Sequence, residues 1–138
     1  MPNYNLLKDK ICLITGTSRG IGKAVAKAFC ENGAIVYANA RDIGCLEEFA
    51  AKLNNEYQGN ILPIYFDVTD STAMKKAIMR IKKEQGKLDV LVNNAGMMQD
   101  ALIGMIPLSL IEETFAVNVF AVVNMLQLAL KLMTRQKN

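Results

Sequence analysis

Four apolar residues, Ile11 to Ile14, run without a break into Thr15-Gly16-Thr17-Ser18-Arg19-Gly20-Ile21-Gly22, and a helical pattern begins inside that turn. No other stretch narrows the possible folds as much. A short apolar run with these flanks reads as a strand buried on both faces, as in a parallel sheet. Gly16, Gly20 and Gly22 give a G-x-x-x-G-x-G spacing at the strand-to-helix turn. Without side chains there, the backbone can approach a phosphate, and the helix start offers unpaired N–H groups to it. A P-loop is excluded by spacing: five residues separate Gly16 from Gly22-Lys23, and Ala24 stands where a magnesium-binding Ser or Thr is needed.

The rest of the chain alternates in the same manner. Ile21, Val25, Ala28 and Phe29 recur at helical spacing and stop at Asn32-Gly33. Ile35–Ala40 reads as a second strand, Leu46–Tyr57 as a helix ending near Gly59, and Ile61–Phe66 as a third strand. Asp70 is placed to cap a helix carrying Met74, Ile78 and Ile81 on one face, ringed by Lys75, Lys76, Arg80, Lys82 and Lys83 and closed by Gly86. Leu88–Val92 reads as a fourth strand ending at Asn93-Asn94-Ala95-Gly96. After a loop with Gly104 and Pro107, Ser109 and Glu112 have the spacing of a capping box that would open a long helix to about Arg135. Strands alternating with helices predict right-handed crossovers and an α/β fold, a parallel sheet covered by helices on both faces. No repeat or linker interrupts the 138 residues, which read as one domain.

Composition narrows the chemistry. There is no histidine, which excludes Ser-His-Asp and Cys-His nucleophilic machinery, histidine-based zinc sites and histidine-ligated haem. Cys12, Cys30 and Cys45 form no C-x-x-C pair, so no metal centre is expected, and the thiols read as reduced, mostly buried and cytoplasmic. Sixteen basic residues against 13 acidic ones leave a net charge of +3, short of a nucleic-acid footprint but suited to a small anion. The lysine-ringed helix lacks interleaved aromatics and reads as a solvated face. The N-terminal residues carry no apolar export signal. Thr114 to Leu130 is free of charge, yet it is short for a membrane span and holds Asn118, Asn124 and Gln127. It therefore reads as a helix between two protein layers, a sheet on one side and a partner chain on the other.

The stretch from Thr15 to Gly22 resembles the cofactor motif of the short-chain dehydrogenases/reductases, and Asn93-Asn94-Ala95-Gly96 resembles that family's second signature, in the same order. Within the family, TGTSRGIGKA and NNAGMMQDALIGM are similar to 3-oxoacyl-[acyl-carrier-protein] reductases. The resemblance implies a Rossmann fold with strand order 3-2-1-4 and a nicotinamide dinucleotide over the carboxyl ends of the strands. It assigns Gly16, Thr17, Ser18, Arg19, Gly20, Ile21 and Gly22 to the diphosphate and nearby ribose, Asp67 and Val68 to the adenine, and Asn94, Ala95 and Gly96 to the inner ribose. The lesser alternative for Asp67 is a turn former at a strand end. At the end of the second strand an acid would select NAD; Ala40 and Arg41 stand there instead, and Arg19 and Arg41 converging on a 2′-phosphate would favour NADP over NAD. Asp42 is the countervailing acid.

The same resemblance implies ketone reduction by hydride transfer on small-molecule substrates, with acyl groups linked to acyl carrier protein the first expectation. In the family the proton comes from a Tyr followed four residues later by a Lys, assisted by a Ser. No serine follows Ser109 and no tyrosine follows Tyr65. Tyr4 and Lys8 share the Tyr-Lys spacing but precede the first strand, remote from the cofactor. Only Asn118 matches the catalytic set, as the residue that holds a water-linked proton relay or, alternatively, as an amide that satisfies a helix or subunit contact. The expectation is an amino-terminal, dinucleotide-binding part of such a reductase, nearly inert alone and associating with a second copy through the 109–135 helix. The alternative is a non-catalytic dinucleotide-binding or oligomerisation module.

Overall fold

The computed structural model describes residues 5–134. Four strands form one parallel sheet in the order β3-β2-β1-β4: β1 is Ile11–Ile14, β2 Ile35–Ala40, β3 Asn60–Tyr65 and β4 Val90–Val92. Helix α1 (Gly20–Glu31) links β1 to β2, α2 (Glu47–Glu56) links β2 to β3, and α3 (Ser71–Gln85) links β3 to β4. Helix α4 (Leu108–Phe115), a π turn (Ala116–Phe120) and α5 (Ala121–Met133) then follow without interruption. The expected order 3-2-1-4, with helices on both faces, is the one observed.

Side-chain alternation along β1 and β2 divides the core into two layers. Cys12, Ile14, Val36 and Ala38 pack with Ala26 and Cys30 of α1 and with Ala50 and Leu53 of α2. On the opposite face Leu13 and Tyr37 pack with Met74, Ile78 and Ile81 of α3 and with Met125, Ala129 and Leu132 of α5. Burial of each Val, Leu, Ile or Met side chain among them contributes about 1.5–3 kcal/mol. Tyr37 has no exposed surface, and its hydroxyl donates to Glu84 at 2.6 Å, so the polar tip is satisfied where the ring is buried. Pro63 lies in β3, an outer strand, where a missing N–H costs no ladder bond on the open side.

Three expectations shift. The fourth strand begins at Val90 rather than Leu88, because Asp89 reaches Ile11 both ways: its N–H donates to Ile11 O at 2.8 Å and its carboxylate accepts from Ile11 N at 2.7 Å. The third strand starts one residue early, its Ile61 held by the Asn54 amide, which accepts from Ile61 N at 2.6 Å and donates to Ile61 O at 3.0 Å. The expected Ser109–Glu112 capping box is not formed. Pro107 occupies the cap position with φ −70° and ψ 146°, and Ser109 is already inside the helix, where its hydroxyl cannot reach forward to an unpaired N–H. Asp70 does cap α3, accepting from Ala73 N at 3.0 Å.

The long apolar helix is real but broken by the π turn, and Arg135 lies outside the described residues. By length and composition the run Leu108–Met133 is apolar enough to cross a membrane. One face of it, at Ala121, Met125, Ala129 and Leu132, is packed into the core with α3, while Ile111, Phe115, Val123, Leu126 and Leu130 are exposed. Of the three thiols, Cys12 and Cys30 are buried and Cys45 is exposed.

Candidate functional site

The carboxyl ends of the strands open into a cleft of about 830 Å³. Its floor is the glycine turn between β1 and α1, its sides are the ends of β2, β3 and β4, and its far wall is α4 with the π turn. This lies where β1 separates two chain directions, β2 on one side and β4 on the other, the crevice in which open α/β sheets hold ligands.

The glycine turn is locked to the turn after β4. Thr15 Oγ1 accepts from Asn94 N at 3.1 Å and from Ala95 N at 3.0 Å, while Asn94 Nδ2 donates to Thr15 O at 3.1 Å and Gly16 O at 2.9 Å. Gly16 has φ +68°, and a side chain on it would come within 2.8 Å of Ala95 Cα. Gly22 is buried under Gly16, where a Cβ would press on the Gly16 carbonyl and the Asn94 amide. Only glycine allows both approaches.

The start of α1 is left open for an anion. Arg19 occupies the cap position in extended backbone, no side chain caps the helix, and its first turn holds no acid. The unpaired N–H groups and the positive end of the helix dipole therefore face the cleft uncompensated. A Cβ on Gly20 would meet no heavy atom within 4 Å, so the turn leaves a bare cradle beside them. Those features fit a dinucleotide's diphosphate.

Of the residues expected to bind cofactor, Gly16, Ser18, Arg19, Gly20, Ile21, Arg41, Asp67, Val68, Asn94, Ala95 and Gly96 line the cleft. Thr17 and Gly22 are not among the lining residues. Thr17 has no exposed surface because its hydroxyl donates inward to Asn39 O at 3.0 Å, and Gly22 serves close packing. Asp42 is exposed outside the cleft, whereas Arg19 and Arg41 are on its wall. Asp67 accepts from Thr69 N at 2.8 Å and from Thr69 Oγ1 at 2.7 Å. Those two bonds, with a smaller contribution from the Arg41 guanidinium, hold its carboxyl below the ordinary carboxylate range and outweigh the opposing effect of burial. An ionised acceptor and the Arg41 guanidinium thus act on one another in the cleft. Asp67 is both turn former and cleft residue.

Asn118 does not line the cleft. The residue is exposed, and its amide accepts from Met97 N at 2.8 Å and donates to Met97 O at 2.7 Å. The π turn that carries it puts Ala116 and Val117 on the cleft, and extra residues of this kind recur at functional sites. The Tyr4–Lys8 pair cannot be placed, since Tyr4 is outside the described residues.

Asn39, Thr69, Met97, Glu113, Ala116 and Val117 also line the cleft and were not singled out from the sequence. Asn39 had a signal: it is the one amide in the strand Ile-Val-Tyr-Ala-Asn-Ala, and a polar group in a buried strand needs partners. Glu113 and Val117 had none, because their exposure to the cleft depends on how the long helix crosses the sheet.

The family model described as short chain dehydrogenase matches residues 10–138. The 3-oxoacyl-[acyl-carrier-protein] reductase FabG of Thermotoga maritima is 33% identical over 96% of this chain and 53% of its own length. A 7alpha-hydroxysteroid dehydrogenase of Paraclostridium sordellii is 42% identical over 67% of this chain and 34% of its own. Among solved structures, L-sorbose reductase from Gluconobacter frateurii, complexed with NADPH and L-sorbose, superposes with a TM-score of 0.88 at 27% identity, over 94% of this chain and 49% of that one. The Pseudomonas aeruginosa RhlG/NADP active-site complex gives 0.86 at 31% identity, over 100% and 53%. This chain spans about half the length of the FabG relative it matches.

Proposed function

This chain belongs to the short-chain dehydrogenase family, and from that premise we propose that it forms the dinucleotide-binding part of an NADP(H)-dependent oxidoreductase interconverting ketones and secondary alcohols. The observation that carries the proposal is the uncapped start of α1 beneath the glycine turn, an anion cradle in a cleft of about 830 Å³. When bound, the nicotinamide supplies or accepts the hydride.

In this reading the chain's residues bind and orient. The amides at Gly20 and Ile21 take the diphosphate, Arg19 and Arg41 take the 2′-phosphate, Asp67 accepts from the adenine edge, and Ala95-Gly96 border the inner ribose. Asn118 holds the Gly96-Met97 wall through the Met97 backbone. No tyrosine follows Tyr65 and no serine follows Ser109 in this sequence, so the Tyr-x-x-x-Lys pair and the Ser of the family's proton-transfer set have no counterpart beyond the fourth strand. Without a general acid the rate falls by about 10²–10⁴-fold, so the chain alone is expected to bind cofactor but reduce ketones poorly. The substrate class is proposed from similarity as a 3-oxoacyl group carried on acyl carrier protein. The cytoplasm, where NADPH and free thiols coexist, is the proposed compartment.

A second reading is favoured by the exposed flank of the long helix. Phe115, Val123, Leu126 and Leu130 offer a continuous apolar strip that a second copy would cover, making the chain a self-associating module. NADPH fluorescence titration with analytical ultracentrifugation separates the two. Saturable binding, with ketone reduction restored by an added Tyr/Lys-bearing fragment, supports the enzyme reading; a defined oligomer without dinucleotide binding overturns it.

A further inference from the structure

We propose that Asn39 is a positioning residue that sets the shape of the adenosine end of the cleft, a role that rests on the nucleotide reading above. It lies near the end of β2 with 2% of its surface exposed, yet it is part of the cleft lining. Its side-chain Oδ1 accepts from Gly16 N at 3.3 Å. Its Nδ2 donates to Phe66 O at 3.0 Å and is also within 3.3 Å of Ile64 O and of Ala40 O. Its main-chain oxygen accepts from Thr17 N at 2.7 Å and from the Thr17 hydroxyl at 3.0 Å. One residue thus ties the glycine turn after β1 to the ends of β2 and β3.

The chemistry of the site asks for an amide. The β1 side presents a donor, Gly16 N–H, while the β3 side presents carbonyl oxygens, so the bridging group must accept at one end and donate at the other. A carboxylate would set a buried charge against three carbonyl oxygens, and an aliphatic group would take from the Gly16 N–H and the Phe66 carbonyl the partner that the amide gives them. What the bridge controls follows from its anchors. Gly16 begins the phosphate turn, and Phe66 is joined to Asp67, whose carboxylate faces the same cleft. With the bridge intact, the phosphate cradle and the adenine acceptor keep a fixed separation.

The test uses the full chain with Asn39→Leu and Asn39→Ser, the latter retaining a shorter donor and acceptor, and Leu53→Ala as a core control away from the cleft. Amide hydrogen exchange is followed without nucleotide, and affinity is measured for NADPH and for 2′,5′-ADP. Asn39→Leu is expected to speed exchange at Gly16 while sparing Leu13, and to weaken both nucleotides about tenfold, equivalent to about 1.4 kcal/mol. Asn39→Ser is expected to fall between it and the unaltered chain, and it carries the test if Asn39→Leu does not fold. Leu53→Ala is expected to lower stability without changing affinity. The proposal is overturned if Gly16 exchange is unchanged, or if Leu53→Ala weakens binding as much as Asn39→Leu. If the unaltered chain binds neither nucleotide, the functional reading fails by itself, and the Gly16 exchange result alone decides the positioning role.

Discussion

Asn118 pairs with Met97 as one strand residue pairs with another: its amide accepts from the Met97 N–H at 2.8 Å and donates to the Met97 carbonyl at 2.7 Å. A side chain on the π turn thereby fixes the backbone that continues from Gly96. Asn118→Ala should destabilise the chain by about 1–2 kcal/mol, because two exposed hydrogen bonds are lost together. Asn118→Asp keeps the acceptor but turns an anion on the Met97 carbonyl, so it should recover little of that stability. Urea denaturation of the three proteins at neutral pH checks the order.

Gly22 and Gly20 should respond differently to alanine. A methyl group on Gly22 is driven into the Gly16 carbonyl and the Asn94 amide, whereas one on Gly20 meets open space and bears only the cost of its φ of +59°. Gly22→Ala is expected to cost about 3 kcal/mol, or to prevent folding, and Gly20→Ala about 1 kcal/mol. Thermal unfolding by circular dichroism, with the soluble yield, distinguishes them.

Arg19 and Arg41 are expected to decide between NADPH and NADH. Each Arg→Ala change should weaken NADPH about tenfold and leave NADH within about twofold, since a charge-assisted bond to a partly solvated phosphate is worth about 1.5 kcal/mol. Calorimetric titration with both nucleotides measures the ratio. An unchanged ratio in the double variant would rule out the 2′-phosphate assignment.

The buried thiols predict an alkaline limit to stability. Burial, aided by the Asp89 charge, pushes the Cys12 thiol up to about 12, and burial, with Glu31, pushes the Cys30 thiol up to about 11. In the unfolded chain thiols ionise near about 8.5. Because the folded values are raised, this stabilisation is complete below the unfolded value and is lost as pH rises toward the folded ones, at up to about 1.4 kcal/mol per pH unit for each thiol. The urea midpoint should fall between about pH 9 and 11, and Cys12→Ala with Cys30→Ala should flatten that fall.

Asp89 contributes to the acid limb. Burial raises its carboxyl, but the bond from Ile11 N and the Lys87 ammonium outweigh this and leave it below the ordinary range. A depressed folded value stabilises above the unfolded value of about 3.9, and that contribution disappears as pH falls through the folded one. Asp89→Ala should therefore lower stability at neutral pH by about 1–3 kcal/mol and reduce the loss on acidification, read from denaturation at a series of pH values.

The strands and both cleft turns were legible because their signals are local: apolar runs of strand length, glycines at forced approaches, and an Asp that caps α3; the order 3-2-1-4 came from the family resemblance. Errors arose where a neighbour decided. Asp89 stays outside β4 because Ile11 claims its carboxylate, and the capping box at Ser109 lost to the backbone that Pro107 imposes. Thr17 looked like a cleft residue from its place in the turn, yet its hydroxyl is spent on Asn39. The π turn had no reading at all, since a single extra residue in a helix leaves the apolar pattern nearly intact. Glu113 and Val117 could be assigned to the cleft only once the path of that helix was known.

The lacing of Thr15, Gly16 and Gly22 with Asn94 and Ala95 also has a hereditary consequence. Two short stretches, distant along the chain, constitute a single mechanical part, and each carries the shape that the other requires. Neither can drift alone: a larger residue admitted on one side must be matched by a simultaneous retreat on the other, a coincidence that single-step mutation rarely supplies. The pair should pass between descendants as one unit.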